Sequence, residues 1–374
     1  MLPVNYTIQN LVLRKWRTLI TIFGISLAIA VFAGMNAVTR TMTESFKATG
    51  HPSEVVVLES GALNMDFSNI SRNSLTYVQT LNGVKAINGE PLVSPELYLG
   101  TLVQINNHEA EVAVRGVIPL ARSVYGQVRL INGTWSKSGK HVVIGQVLSR
   151  KFGIGVGDEL NMQRENWKVA GIISGNGRVY DQEIWTDLED LAAVSNRKTY
   201  TSYLIQAVDS EAAESIVNTI NEGRRFPLLA MPSPAFYKQS SAMASLMAGI
   251  GTFISVIIAI GSIFGAMNTM YSSVAARRRE FGILGAIGYR PRAILGSLVF
   301  ESILIALVGC FIGLIMASFL AFVPVDLPYL PIGTVRLGTS QIVAALIMSM
   351  VVGLLGGSLP ALQAARQRTV DAMK

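Results

Sequence analysis

The chain has 374 residues, of which 50% are hydrophobic and only 15% are charged, and its mean hydropathy is +0.42. This composition excludes an ordinary soluble domain, in which about a quarter of the residues are charged, and it indicates a membrane protein. Residues 39–243 are close to neutral, so the net charge of +7 comes from the rest of the chain. The charge therefore does not indicate nucleic-acid binding.

Four apolar segments reach the roughly 20 residues that a bilayer core requires: residues 18–38, 245–273, 293–323 and 340–362. The first segment follows basic residues, as a signal peptide would, but its apolar run is long for one, and we expect it to remain as a span. The sequence therefore predicts an α-helical membrane protein with four transmembrane helices plus a large α+β extracytoplasmic domain.

Basic residues predict the orientation of these spans. They flank the segments on one side at Arg14, Lys15, Arg17, Arg277, Arg278, Arg279, Arg290, Arg292, Arg366, Arg368 and Lys374. The loop at residues 324–339 carries only Arg336. By the positive-inside rule both termini are cytoplasmic. The predicted parts are residues 1–38 (N-terminus and first span), 39–243 (extracytoplasmic domain) and 244–374 (three spans and a cytoplasmic tail).

The predicted extracytoplasmic domain has similar patterns at its two ends. Residues 54–59, 84–88, 203–208 and 226–231 have strand patterns, and residues 73–81 and 210–222 have helix patterns, with Ser210 as the N-cap. The middle contains six further strand patterns separated by Gly and Asn. We expect a split α+β lobe (39–96 and 187–243) with an inserted β-rich lobe (97–186).

No pattern in the chain indicates catalysis or metal binding. His51, His108 and His141 are isolated, and the one cysteine, Cys310, lies in an apolar segment, where a small buried residue is expected. The glycine-rich residues 153–157 lack the Lys-Ser/Thr of a phosphate-binding loop and precede a strand, so a turn is expected. We expect a non-catalytic chain that binds no metal and no cofactor of its own.

The loop between the second and third apolar segments is the most informative region. A basic run passes into a short amphipathic stretch, and residues 277–289 are predicted to form a coupling helix that docks a cytoplasmic motor. Phe281, Leu284 and Gly288 would share one face while the arginines hold the lipid surface. The alternative is a simple positive-inside anchor. The predicted docking residues are Arg277, Arg278, Arg279, Glu280, Phe281, Ile283, Leu284, Ala286 and Gly288.

Small residues and one acid are candidates within the spans. Glycine pairs four residues apart predict close helix packing, or dimer contacts, at Gly261, Gly265, Gly309, Gly313, Gly353 and Gly357. Glu301 is the acidic residue well inside a predicted span, where a carboxylate is a functional candidate. We favour a structural hydrogen bond or ion pair for Glu301 over proton or substrate coupling.

These residues together resemble a family. Residues 10–25, 268–270, 276–288 and 360–372, with Glu301, are similar to the signatures of the MacB/FtsX-like ABC transporter permeases, a group that includes LolC and LolE. The order of one span, a large outer domain and three spans is also the family's plan. Ala276 and Gly285 depart from the pattern, since many members have polar residues there.

The resemblance implies a permease of the bacterial inner membrane that exports or extracts a lipid-linked or amphiphilic substrate. It implies a cytoplasmic ABC ATPase dimer, which binds ATP and Mg²⁺, and a second permease copy or paralogue; membrane lipids and a periplasmic adaptor or lipoprotein are further partners. The long helices would carry ATP-driven motion to the outer domain. The alternative is an FtsX-like signalling subunit that controls an extracytoplasmic partner such as a cell-wall hydrolase.

Overall fold

The computed structural model describes residues 15–62, 64–105, 108–136, 138–287, 289–319 and 337–365. The start of the N-terminal signature, most of the loop before the fourth span and the basic C-terminal tail lie outside these residues. The chain divides into two compact units. One, the helical unit, takes in the described residues up to Arg40 and the described residues from Ser245 on; the other, the sheet unit, is described here over Thr41–Ala244.

The helices and strands follow one another in this order: α1 (Lys15–Ala48), β1 (Glu54–Glu59), α2 (Leu75–Gln79), β2 (Ala86–Ile87), β3 (Glu90–Pro91), β4 (Val93–Ile105), β5 (His108–Val117), α3 (Ala121–Val124), β6 (Arg129–Gly133), β7 (His141–Gly145), α4 (Gln146–Phe152), β8 (Glu159–Met162), β9 (Glu165–Ser174), β10 (Glu183–Asp187), α5 (Leu188–Val194), β11 (Ser202–Gln206), α6 (Ser210–Glu222), β12 (Leu228–Pro232), α7 (Ser233–Ala276), α8 (Arg278–Ala286), α9 (Pro291–Phe319) and α10 (Thr339–Ala365).

Among the described residues, four helices are long and apolar enough to cross a membrane: Thr18–Ala48, Gly249–Ala276, Pro291–Phe319 and Thr339–Leu362. They confirm the four predicted spans. Two of them belong to longer helices, because α1 has 34 residues and α7 has 44. At 1.5 Å per residue, α7 alone is roughly 66 Å long, about twice the thickness of a bilayer core.

Glycines allow α9 to approach α1 closely. A methyl group at Gly309 would lie 2.8 Å from Cγ2 of Ile25, and one at Gly313 would lie 2.6 Å from the carbonyl oxygen of Ser26. Real Cβ atoms do not come so near to backbone, so larger residues would push the helices apart.

The fourth span packs on the third in the same way. A methyl group added at Gly353 would lie 2.9 Å from Cβ of Ala306, and one added at Gly357 would lie 2.5 Å from Oγ of Ser302. By contrast, a methyl group at Gly261 or at Gly265 would have no described atom within 4 Å. These two glycines are therefore not packing positions among the described helices, and their role as a contact to a second copy stays a prediction.

The sheet unit is built on ten strands in the order β12-β1-β11-β4-β5-β10-β7-β9-β6, with β8 paired to both β4 and β9. Strands β4, β5, β10, β7, β9 and β8 therefore close into a ring. The predicted lobe boundary at residues 96 and 97 falls inside β4, which pairs with β11 at its start and with β5 and β8 further on. A division into two lobes stays a prediction.

Alternate residues of these strands enter two separate cores, as the two-residue period of a strand requires. Val55 and Ile184 lie in one core together with residues of α5 and α6. Val56 and Trp185, their chain neighbours, lie in the other core, beside aromatic side chains from the first turns of α7. Both faces of the sheet are thus covered by helices or helix ends.

Most predicted elements of this unit are present, with some differences. The N-cap of α6 is Asp209, whose side chain accepts from the N–H of Ala212 at 2.8 Å, not Ser210. The strand predicted at residues 84–88 is reduced to β2. Strands β3 and β6 and the short helices α3, α4 and α5 were not predicted. The glycine run at 153–157 is the expected turn, with Gly153 and Gly157 at φ of 64° and 100°.

Candidate functional site at the loop between the second and third spans

A short helix fills the loop between α7 and α9. Helix α8 covers Arg278–Ala286, somewhat less than the predicted 277–289, and a turn at Arg277 separates it from α7. The first residue of α9 is Pro291, a position where proline is favoured because the missing N–H has no partner in the helix. Few residues connect the three helices, so the position of α8 depends on contacts at its two ends.

Arg277 anchors the start of α8 inside the protein. Its Nη1 lies 3.3 Å from Oε2 of Glu301 on α9, and both side chains are about 95% buried, with exposures of 5% and 6%. Its Nε lies 3.3 Å from Oε2 of Glu280, which is half exposed. The ion pair expected for Glu301 is therefore present. The expectation that Arg277 holds the lipid surface is wrong, because the residue is only 4% exposed.

Phe281 turns towards the bundle as well. It is 6% exposed and packs in a cluster with Met270, Ile294 and Leu298. The Arg277 guanidinium carbon lies 5.0 Å from the centre of its ring, a cation–π contact. Phe281 thus holds α8 to its neighbours and is not on the outward face where the sequence placed it.

The exposed face of α8 carries other residues. Arg278 and Arg279 are exposed, as are Ile283 at 49% and, just after the helix, Ile287 at 71%. Ile283 and Ile287 are four positions apart and so lie on one side of a helical turn. Ala286 is exposed beside them.

Two of the predicted docking positions, Leu284 and Gly288, have no described side-chain surroundings. The same holds for Gly285, which departs from the family pattern. A role for Leu284 or Gly288 in docking stays a prediction, as does the effect of Gly285.

The sheet unit contains a second cluster of charges that was not predicted. Arg115 on β5 is 1% exposed. Its Nη2 lies 2.7 Å from Oε1 of Glu183 on β10, and its Nη1 donates to Glu96 on β4. Tyr125 donates to the same Glu96, and Trp185 Nε1 donates to Glu183 at 2.7 Å. Burial raises the pKa of Glu96, although Arg115 opposes the shift.

The guanidinium and its two carboxylates meet because of strand register. Arg115 stands opposite Tyr98 of β4 and Trp185 of β10, and Glu96 and Glu183 each lie two positions before those partners. Residues two apart on a strand share a face, so both carboxylates reach the guanidinium. Among the described residues, no group of three or more His, Cys, Asp or Glu is placed to hold a metal ion.

Two known families match most of the chain. The family described as "MacB-like periplasmic core domain" matches residues 18–222, and the one described as "FtsX-like permease C-terminal" matches residues 252–369. The first match runs from α1 through α6, and the second contains α8 and the ion pair.

Similar curated proteins include transport proteins. "Macrolide export ATP-binding/permease protein MacB" of Salmonella typhi is 24% identical over 387 residues, covering 96% of this chain and 58% of the relative. An uncharacterized ABC transporter permease of Methanocaldococcus jannaschii is 23% identical over 399 residues, covering 99% of this chain and 97% of the relative. The chain spans about three fifths of the length of the MacB relatives.

Among solved structures, the periplasmic region of MacB from Actinobacillus actinomycetemcomitans is similar over 53% of this chain and 96% of its own. The sequence identity is 13% and the TM-score is 0.40.

Proposed function

Since the chain belongs to the MacB/FtsX-like family of ABC transporter permeases, we propose that it carries ATP-driven motion from a separate cytoplasmic ATPase to an extracytoplasmic domain. The proposed substrate is a lipid-linked or amphiphilic molecule that is exported or extracted. The working complex would contain an ATPase dimer, which binds ATP and Mg²⁺, and a second permease copy or paralogue in the bacterial inner membrane.

The attachment of α8 carries this proposal. A helix that receives force from a motor must expose a contact surface and be fixed to the spans that it moves. Ile283 and Ile287 are exposed, while Arg277 and Phe281 hold the same helix to α9 through the buried ion pair and the apolar cluster. A simple charged anchor needs exposed basic residues but no buried arginine. The length of α1 and α7 also supports transmission along helices.

The test is substitution of the exposed apolar surface. The tagged full chain is purified from its host in nanodiscs with its nucleotide-binding partner, and ATP hydrolysis is measured. We expect Ile287→Asp to remove the ATPase from the complex, since a carboxylate cannot enter an apolar groove without loss of hydration. The matched control is Ile131→Asp in the sheet unit, where Ile131 is 55% exposed. An intact, fully active complex with Ile287→Asp would contradict the docking role.

The match to an FtsX-like C-terminal region favours one second candidate, a signalling subunit that controls an extracytoplasmic enzyme. The two functions differ in what contacts the sheet unit. Cross-linking from exposed positions of that unit, such as Ser138, should capture an amphiphilic cargo or adaptor for a transporter and a hydrolase for a signalling subunit.

A further inference from the structure

A cavity of about 200 Å³ lies within the sheet unit, beside the buried charge cluster. This exceeds the ~150 Å³ that holds one benzene molecule in an engineered apolar cavity. Its wall is mostly apolar and contains five aromatic side chains: Phe46, Tyr98, Phe152, Phe236 and Tyr237. The space therefore suits one small molecule with an apolar body.

The charges on the wall favour a cation. Its acidic residues are Asp66, Glu111 and Glu183, against two basic residues, Arg115 and Lys151. Arg115 is already shared between Glu183 and Glu96, so its own positive charge is more than balanced. Asp66 accepts from the N–H of Gly100 at 3.0 Å, and burial raises the pKa of its carboxyl. A cation in the cavity would stabilise the ionised form of this group.

From these contacts we propose that the cavity binds a small molecule in which a protonated amine is attached to an apolar body. The amine faces the Asp66 carboxylate, and the body packs on the aromatic rings. Aromatic faces attract cations as well as apolar surface, so the same wall serves both parts of the ligand. The assignment does not depend on the coupling role proposed above, because it is tested by binding alone.

The cavity draws its wall from separate parts of the unit. Phe46 lies near the end of α1, and Phe236 and Tyr237 lie in the first turns of α7. Gln182 and Leu148 come from a different stretch of the sequence, between β7 and β10. An occupant would therefore contact the ends of two long helices and the strand ring at once.

Three fluorinated probes of nearly equal size test the charge assignment. They are 4-fluorophenethylamine, 2-(4-fluorophenyl)ethanol and 4-fluorophenylacetate, and their ¹⁹F line widths are followed on titration with the full chain in nanodiscs, with empty nanodiscs as the blank. We expect the amine to bind saturably at one site per chain and at least tenfold more tightly than the other two probes. Equal or tighter binding of the acetate, or no saturable binding of the amine, would overturn the proposal.

One substitution tests the location. Asp66→Asn keeps the side-chain size and removes the negative charge, so it should weaken binding of the amine at least fivefold. Gln104→Leu, at an exposed position of β4, is the control and should leave the affinity unchanged. The thermal unfolding midpoint of each variant establishes that it is folded, and because Asp66 is only partly buried, its variant is expected to remain so. Unchanged affinity in the folded Asp66→Asn variant would place the amine elsewhere and refute the site.

Discussion

Arg277 and Glu301, 24 positions apart in the chain, form a buried ion pair at 3.3 Å that fastens the start of α8 to α9. The pair does two tasks at once. It removes an arginine from the surface of the loop, and it gives the isolated carboxylate of α9 a partner in an apolar bundle, where an unpaired charge is strongly unfavourable.

Breaking this pair from one side should destabilise the helical unit. Glu301→Leu leaves Arg277 buried with less compensation and should reduce the free energy of unfolding by about 3–5 kcal/mol. The double variant Arg277→Met/Glu301→Leu should lose clearly less than the sum of the single changes, because no charge stays buried. Unfolding in a mixed-detergent titration measures both. The control, Arg278→Met at an exposed neighbouring position, should change stability by less than about 0.5 kcal/mol.

The glycines of α9 should tolerate no added methyl group. Gly313→Ala forces a Cβ against the backbone of α1, so we expect a loss of about 1–3 kcal/mol, as for overpacked sites. Gly261→Ala is the comparison, because its Cβ would meet no described atom within 4 Å. Alanine has a better helix propensity than glycine, so this variant should be as stable as the natural chain or slightly more stable. Equal losses in the two variants would show that the packing difference has no energetic weight.

Tyr125 should contribute to the sheet unit through its hydroxyl. Tyr125→Phe removes one hydrogen bond to the Glu96 carboxylate and is expected to cost about 1.5–3 kcal/mol. Thermal unfolding, followed by near-ultraviolet circular dichroism because Trp185 lies beside Tyr125, measures the change. Tyr77→Phe, at a partly exposed ring, should shift the midpoint much less.

Glu54 should make stability depend on pH. It is 6% exposed and accepts from the N–H of His51 at 2.9 Å, yet burial raises its pKa to about 7 from an ordinary value of 4.5. The folded protein thus binds a proton that the unfolded chain releases between these two pH values. This contribution to stability is full below pH 4.5 and is lost as the pH rises through 7, by about 3 kcal/mol in total.

The measurement is the free energy of unfolding at a series of pH values for the natural chain and for Glu54→Gln. The neutral amide cannot titrate, so the difference between the two curves should fall between pH 4.5 and 7. Parallel curves would mean that Glu54 has an ordinary pKa.

The orientation of the chain can be read from cysteine labelling. Ser138 and Arg279 are exposed, and the native Cys310 is buried. In spheroplasts, a membrane-impermeant maleimide should modify Ser138→Cys at once and Arg279→Cys only after permeabilisation. The reverse pattern would invert the predicted topology.

The spans could be predicted from sequence because a bilayer demands long apolar runs, which few other structures need. The strands of the sheet unit followed from their alternation and from glycines between them. β6 was missed because four of its five residues are exposed and give no apolar alternation.

The charge clusters could not be predicted in the same way. Arg277, Arg278 and Arg279 look equivalent in sequence, and only the position of Glu301 on a neighbouring helix selects the first of them for burial. Arg115 has partners 19 and 68 positions away, on strands whose pairing is not apparent from the residues. The available signal was a single arginine within the apolar run at residues 112–118, which suggests a buried partner.

The ring of strands in the sheet unit also limits how other chains can join it. Strand β8 is short, but it seals the gap between β4 and β9, so those three strands have no continuous free backbone edge between them. Among the described strands, β12 and β6 stand at the two ends of the strand order and have a neighbour on one side only. Residues 108–112 of β5 likewise pair with β4 alone. A second polypeptide can therefore extend the sheet by backbone pairing at these edges. Where both sides of a strand are paired it must recognise side chains, and specificity there lies with surface residues that can change without altering the fold.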